Sequence, residues 1–128
     1  MKHSGTSWSL EYENGIIVGR FEKGMPLSAF AQEVYPAFEE LSHGHRTDIV
    51  GTVDLIELDE SLGKEIPKIW HQTTRKPSNL PNFQRAAFIA NGLDVLFLHT
   101  ELSKLNIEIK GFDDDLNEAI KWARGDIQ

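Results

Sequence analysis

Apolar and polar residues alternate through Trp8, Ser9, Leu10, Glu11 and Tyr12, and an apolar run resumes at Ile16, Ile17 and Val18 and closes on Phe21. Period-two alternation sends successive side chains to opposite faces of a strand, and Asn14-Gly15 between the two runs supplies the positive backbone dihedrals of a tight turn. Residues 8–21 therefore predict a β-hairpin. The period then changes. Leu27, Phe30, Ala31, Val34, Phe38 and Leu41 recur at three- and four-residue intervals, which predicts an amphipathic helix over 28–42 with one face for a core. Pro36 should kink it, because the ring removes the bond to residue 32 and crowds that carbonyl. The loop around His43, Gly44 and His45 should end the helix, with Gly44 able to take a left-handed C-terminal conformation.

Residues 49–55 are short, β-branched and apolar on both faces, the signature of a central strand covered on both sides. After them Asp59 or Ser61 can cap a helix that carries Leu62, Ile66, Ile69 and Trp70 on one stripe and ends by Pro77, with Pro67 tolerable only in a first turn. Residues 76–82 hold two prolines and two asparagines and read as a long loop, and 84–90 return as a strand. Asn91-Gly92 reads either as a hairpin turn or as the lead from a strand into a helix. The length of 93–105 and its lack of interior glycine or proline favour the helix, and a short strand follows at 107–109. In the last helix Asp115 and Glu118 form a capping-box pattern, acids crowd the positive end, Lys121 and Arg124 sit at the negative end, and Leu116, Ala119, Ile120 and Ala123 make the apolar stripe.

Hairpin, helix, strand, helix, strand, helix, strand, helix is an order that builds an α/β fold with a mixed, mostly parallel sheet packed by helices. At 128 residues one hydrophobic core is the expectation, so the chain reads as a single domain over 1–128 with its core in 8–124.

Composition narrows the function classes. Thirteen Lys and Arg against twenty Asp and Glu leave a formal charge of -7, which repels a nucleic-acid backbone. Without cysteine there is no disulfide framework, thiolate metal site or cysteine nucleophile. The opening residues lack the apolar core of a secretory signal, and 86–98 is too short and too polar to span a membrane, so a cytoplasmic protein with no transmembrane segment is expected.

Motifs for chemistry are sparse. No phosphate-binding loop, dinucleotide fingerprint or nucleophile elbow is present, so no catalytic residue, cofactor or metal is assigned and the chain is not expected to be an enzyme. His43 and His45 lack zinc-type spacing and read as a solvated loop. The acidic runs at 57–60 and 113–115 precede predicted helices, where acids serve the helix dipole. Lys64, Lys68, Arg75, Lys76 and Arg85 gather cations against the sign of the whole chain, as a solvated face or a local anion contact. Trp70 and Trp122 sit at helical spacing from apolar neighbours and read as core, with a rim beside a cavity as the exception.

The element order and three segments resemble the STAS domains, specifically the SpoIIAA-like group related to anti-sigma factor antagonists, over essentially residues 8–124. Residues 49–55 look like the family's central strand ending in Asp-Leu, 85–90 like the next strand, and Gly111, Phe112 and Asp113 through Glu118, Ala119 and Trp122 like its closing acidic cap and helix. The resemblance implies a regulatory or signalling module, such as one of the stress response, that acts on a protein partner. It also implies phosphorylation of a serine in an Asp-Ser-Ser-Gly segment at a helix start. Asp59, Glu60, Ser61 and Leu62 occupy that place, with Ser61 on the phosphorylated serine and Glu60 and Leu62 departing from the pattern. Read locally, Ser61 caps a first turn. A divergent branch of the superfamily resembles CRAL-TRIO lipid carriers, which makes a small apolar ligand the alternative partner. Leu93, Leu96, Phe97 and Trp70 would then line its site, although the same residues serve equally as packed core. Pairing of two copies into a homodimer is compatible with either role.

Overall fold

The computed structural model describes residues 2–5, 7–22, 27–57, 81–89, 108–112 and 115–127. Strands β1 (Lys2–Ser4), β2 (Trp8–Glu13), β3 (Ile16–Phe21), β4 (Gly51–Ile56), β5 (Arg85–Ile89) and β6 (Glu108–Phe112) lie side by side in sequence order in one sheet. The first three are antiparallel and β3 to β6 are parallel, giving the mixed, mostly parallel sheet expected. Asn14 (φ 46°) and Gly15 (φ 87°) both take positive φ, as the tight turn joining twisted strands requires. β1 is a strand the pattern did not predict, because three residues are too few to display a period. Two other boundaries move: the central strand begins at Gly51 rather than at 49, and β6 runs on to Phe112 rather than ending at 109.

The helix expected over 28–42 is instead three pieces: α1 (Leu27–Ala29), a π-helical segment (Phe30–Val34) and α2 (Tyr35–Gly44). Pro36 explains the break. It has no N–H to continue the regular ladder, so the chain widens by a π turn before it, and Pro36 then falls in the first turn of α2, where a missing donor costs little. The helix also runs further than expected. Gly44 closes α2 without a left-handed conformation, and the cap is His45 (φ -130°), whose N–H reaches the carbonyls of Leu41 and Ser42.

Two cores flank the sheet. On one face Trp8, Leu10, Ile17, Phe21, Ile56 and Phe88 pack with Val34, Ala37, Phe38 and Leu41 from the π and α2 segments. On the other, α3 (Leu116–Arg124) lays Ala119, Trp122 and Ala123 over Ile16, Val18, Val53, Ala87 and Phe112. The Asp115 carboxylate caps α3 by accepting from the Glu118 N–H at 3.0 Å. Gly125 (φ 90°) ends it, with the Gly125 and Asp126 N–H groups bonded to the Trp122 and Lys121 carbonyls.

Close approach of α3 depends on Gly51. A Cβ there would lie 2.5 Å from the Ala123 carbonyl oxygen and 2.9 Å from that of Arg85, both rigid backbone atoms. Gly51→Ala is accordingly expected to lower stability by about 1–3 kcal/mol, the range for overpacking, read as a fall in the urea midpoint with an unchanged slope. A midpoint equal to that of the parent chain would mean that α3 does not seat on this glycine.

Candidate functional site

Register across the sheet arranges in rows the face that carries Leu10, Ile17 and Phe88. One row runs Tyr12, Ile17, Thr52, Ala86, Ile109, and the next runs Leu10, Gly19, Asp54, Phe88, Gly111. Thr52 and Asp54 are two residues apart on β4, so they share this face and stand next to each other on it. Both are enclosed, Thr52 at 1% and Asp54 at 4% exposure. They interrupt a surface on which Leu10, Ile17, Ala86 and Phe88 pack as apolar core.

Gly19 makes room for the carboxylate. A Cβ at Gly19 would lie 2.6 Å from Asp54 Oδ1 and 3.0 Å from the Phe21 ring, so the Asp54 side chain from the neighbouring β4 and the Phe21 ring from β3 itself both lean over the bare Cα. Glycine inside a strand sacrifices packing and backbone order, and a buried carboxylate is kept against a desolvation cost. β3 and β4 thus carry matched concessions to hold one acidic group inside the sheet. The central strand was expected to be apolar on both faces; Thr52 and Asp54 at positions i and i+2 were the signal that one of its faces carries polar groups.

Thr52 and Asp54 are the second and fourth of the six residues of β4, so the pair lies within the sheet, and the carboxyl ends of the parallel strands follow beyond it. The Glu57 N–H donates to the Phe21 carbonyl at 2.9 Å, extending the β3 and β4 ladder one residue beyond Ile56, and Glu57 itself is exposed. The expected switch residues Ser61 and Asp59, and the expected ligand lining Leu93, Leu96, Phe97 and Trp70, lie outside the described residues. So do Lys64, Lys68, Arg75 and Lys76 of the cationic group.

Arg85 is described, and it belongs to neither a solvated face nor an anion site. Its Nη1 donates to the Trp122 carbonyl at 2.7 Å and the Ile127 carbonyl at 2.8 Å, and its Nε pairs with Glu108 at 3.1 Å. The guanidinium also lies 5.0 Å from the Trp122 ring centre. It therefore ties the carbonyl end of α3 and the following segment to the start of β5. The histidines separate as well. His43 is exposed, whereas the His45 ring stacks on Tyr12 at 3.6 Å between centroids, with Nδ1 3.7 Å from the Asp48 carboxylate. No trio of metal-binding side chains gathers among the described residues. No helix among the described residues is long and apolar enough to cross a membrane. Trp122, expected in the core, is buried there against Phe112.

Comparison with known proteins identifies the fold. No family model matches the chain, and no curated protein matches it in sequence. A solved structure that does match is an uncharacterised protein of the DUF3478 family, with a SpoIIAA-like fold, from Shewanella loihica PV-4. The two share 18% identity with a TM-score of 0.61, over 94% of this chain and 98% of that one. The chain has a SpoIIAA-like fold.

Two measurements address the site and its frame. Gly19→Ala and Asp54→Ala should be non-additive, because shortening Asp54 removes the oxygen that an added Cβ would strike. A double-mutant cycle in urea should show coupling of about 0.5–3 kcal/mol, and strict additivity would mean that the two residues do not share this space. Arg85→Lys should cost roughly 1–3 kcal/mol, since a single ammonium cannot reproduce the forked contacts to two carbonyls and Glu108. An unchanged thermal midpoint would refute the clamp.

Proposed function

We propose that the chain is a non-enzymatic regulatory module of the cytoplasm that works by contact with another protein, with Ser61 as its switch residue and Asp59 beside it. The observation that carries this reading is the SpoIIAA-like fold itself, in which the residues after β4 continue from the carboxyl end of the central parallel strand. Asp59 and Ser61 follow Glu57 by two and four positions in the chain. Segments at this end of a parallel sheet are the ones most often used for recognition, because the strands hold them at a fixed place while their own sequence is free to vary.

A phosphate on Ser61 would bring up to about two negative charges next to Asp59 and Glu60. Such a charge repels an acidic partner surface, and the positive end of a following helix would offset part of the cost of carrying it. The switch thus needs no catalytic group in the chain. Its reagent is an external kinase, and its output is the gain or loss of a protein contact.

The test uses the full-length chain as bait in extract from its own host, comparing the parent with Ser61→Ala and Ser61→Asp by quantitative mass spectrometry. At least one protein should be retained equally by the parent and Ser61→Ala and fall about tenfold with Ser61→Asp, a change of roughly 1.4 kcal/mol in binding. If all three baits retain the same proteins in the same amounts, the switch is refuted.

A further inference from the structure

The sheet ends at β6, which has β5 beside it and no strand on its other side among the described residues. The Glu108 N–H donates to the Gln84 carbonyl at 2.9 Å, so the backbone groups of Glu108, Lys110 and Phe112 turn toward β5. Those of Ile109 and Gly111 turn outward, and neither residue is fully buried. At the opposite edge β1 has three residues, short enough to blunt that edge, whereas β6 has five. An outward row of donors and acceptors is a template for another strand, and an exposed lysine is a common guard against it. On β6 the lysine has a counterpart. Glu108 and Lys110 stand two residues apart, so they share a face, and both are exposed. Lys110 pairs with no carboxylate among the described residues and lies 5.2 Å from the centre of the Phe112 ring.

We propose that β6 is a self-association edge, to which a second copy of this chain adds its own β6 antiparallel about a two-fold axis at Ile109. The axis must pass through a residue whose backbone groups turn outward, which confines it to odd positions. With the axis at Ile109, that residue exchanges both backbone hydrogen bonds with its own counterpart. Glu108 then faces the partner's Lys110, and Lys110 the partner's Glu108, with Cα atoms about 4.5 Å apart, the closer of the two cross-strand spacings. An axis at Gly111 would set Lys110 against the partner's Phe112 and leave the charges unmatched, and a parallel arrangement would set like charges together. Arg85 Nε holds Glu108 at 3.1 Å, yet the Glu108 side chain is 67% exposed and its carboxylate keeps acceptor capacity for an ammonium. On the opposite face the two half-buried Ile109 side chains meet at the axis. The edge is short and two chains of formal charge -7 repel, so the dimer is a weak one that forms as concentration rises. It does not involve Ser61, and it stands or falls separately from the switch.

The test is sedimentation velocity on the full-length chain over a concentration series into the millimolar range, comparing the parent with Lys110→Glu, Glu108→Lys and Ile109→Pro. Circular dichroism checks that each variant is folded. The parent should pass from monomer to dimer. Lys110→Glu should weaken the dimer about tenfold or more, because both cross-strand pairs turn from opposite to like charge. Glu108→Lys should do the same, and an equal mixture of these two variants should form a heterodimer at least as tight as the parent dimer, since every pair is then matched. Ile109→Pro removes the outward N–H at the axis, keeps the bonds to β5 and should abolish association. Should Glu108→Lys fail to fold, Lys110→Glu and Ile109→Pro decide. A parent chain that stays monomeric throughout overturns the proposal. So does a dimer that Lys110→Glu or Ile109→Pro leaves as tight as before, or a mixture of folded charge variants that does not associate.

Discussion

Burial of β4 on both faces is the constraint on which the rest of the structure depends. Gly51, Thr52, Val53 and Asp54 are all enclosed, with the π and α2 segments contributing to the core on one side and α3 to that on the other. A strand in that position cannot send its backbone groups to water, so its N–H and C=O groups must be met by β3 and β5, and its side chains must suit two different layers. Val53 meets that demand simply. Gly51 meets it by contributing no side chain, which lets the Ala123 backbone come close. Thr52 and Asp54 do not meet it on packing grounds.

The two ends of the parallel sheet are used differently. At the amino ends, Arg85, Glu108, Trp122 and Ile127 form a dense polar clamp that holds α3 in register, and Tyr12 and His45 stack where α2 returns to the sheet. These contacts are satisfied internally and leave little for a ligand. Nearer the carboxyl ends, the sheet encloses Asp54 over Gly19. Internally satisfied contacts are thus concentrated at the amino ends, while the buried polar pair of β4 occupies the second and fourth positions of the strand.

Several features could be read from the chain because their causes are local. The hairpin turn follows from the positive φ that Asn14-Gly15 adopts readily, and the α3 cap from the reach of the Asp115 carboxylate to the Glu118 N–H three residues on. Pro36 announced a disturbance in its helix, and the form it took is a π segment, Phe30–Val34, ahead of a fresh start at Tyr35. Arg85 looked like a member of a cationic surface group. Its partners lie far along the chain, at Trp122 and Ile127, and no spacing rule connects them.

The sequence by itself determined the periodicities, the turn and cap residues, and with them an α/β chain whose element order matches a SpoIIAA-like fold, because each of these is set within a few residues by backbone sterics and side-chain reach. Only the tertiary structure decided the strand order, the pairing of Gly19 with Asp54 and of Gly51 with Ala123, and the inward use of Arg85. Those depend on which strands become neighbours. A glycine in a strand looks like a weakness until the group leaning over it is known, and Thr52 and Asp54 pass unnoticed in a strand read as apolar on both faces until both are found buried in it.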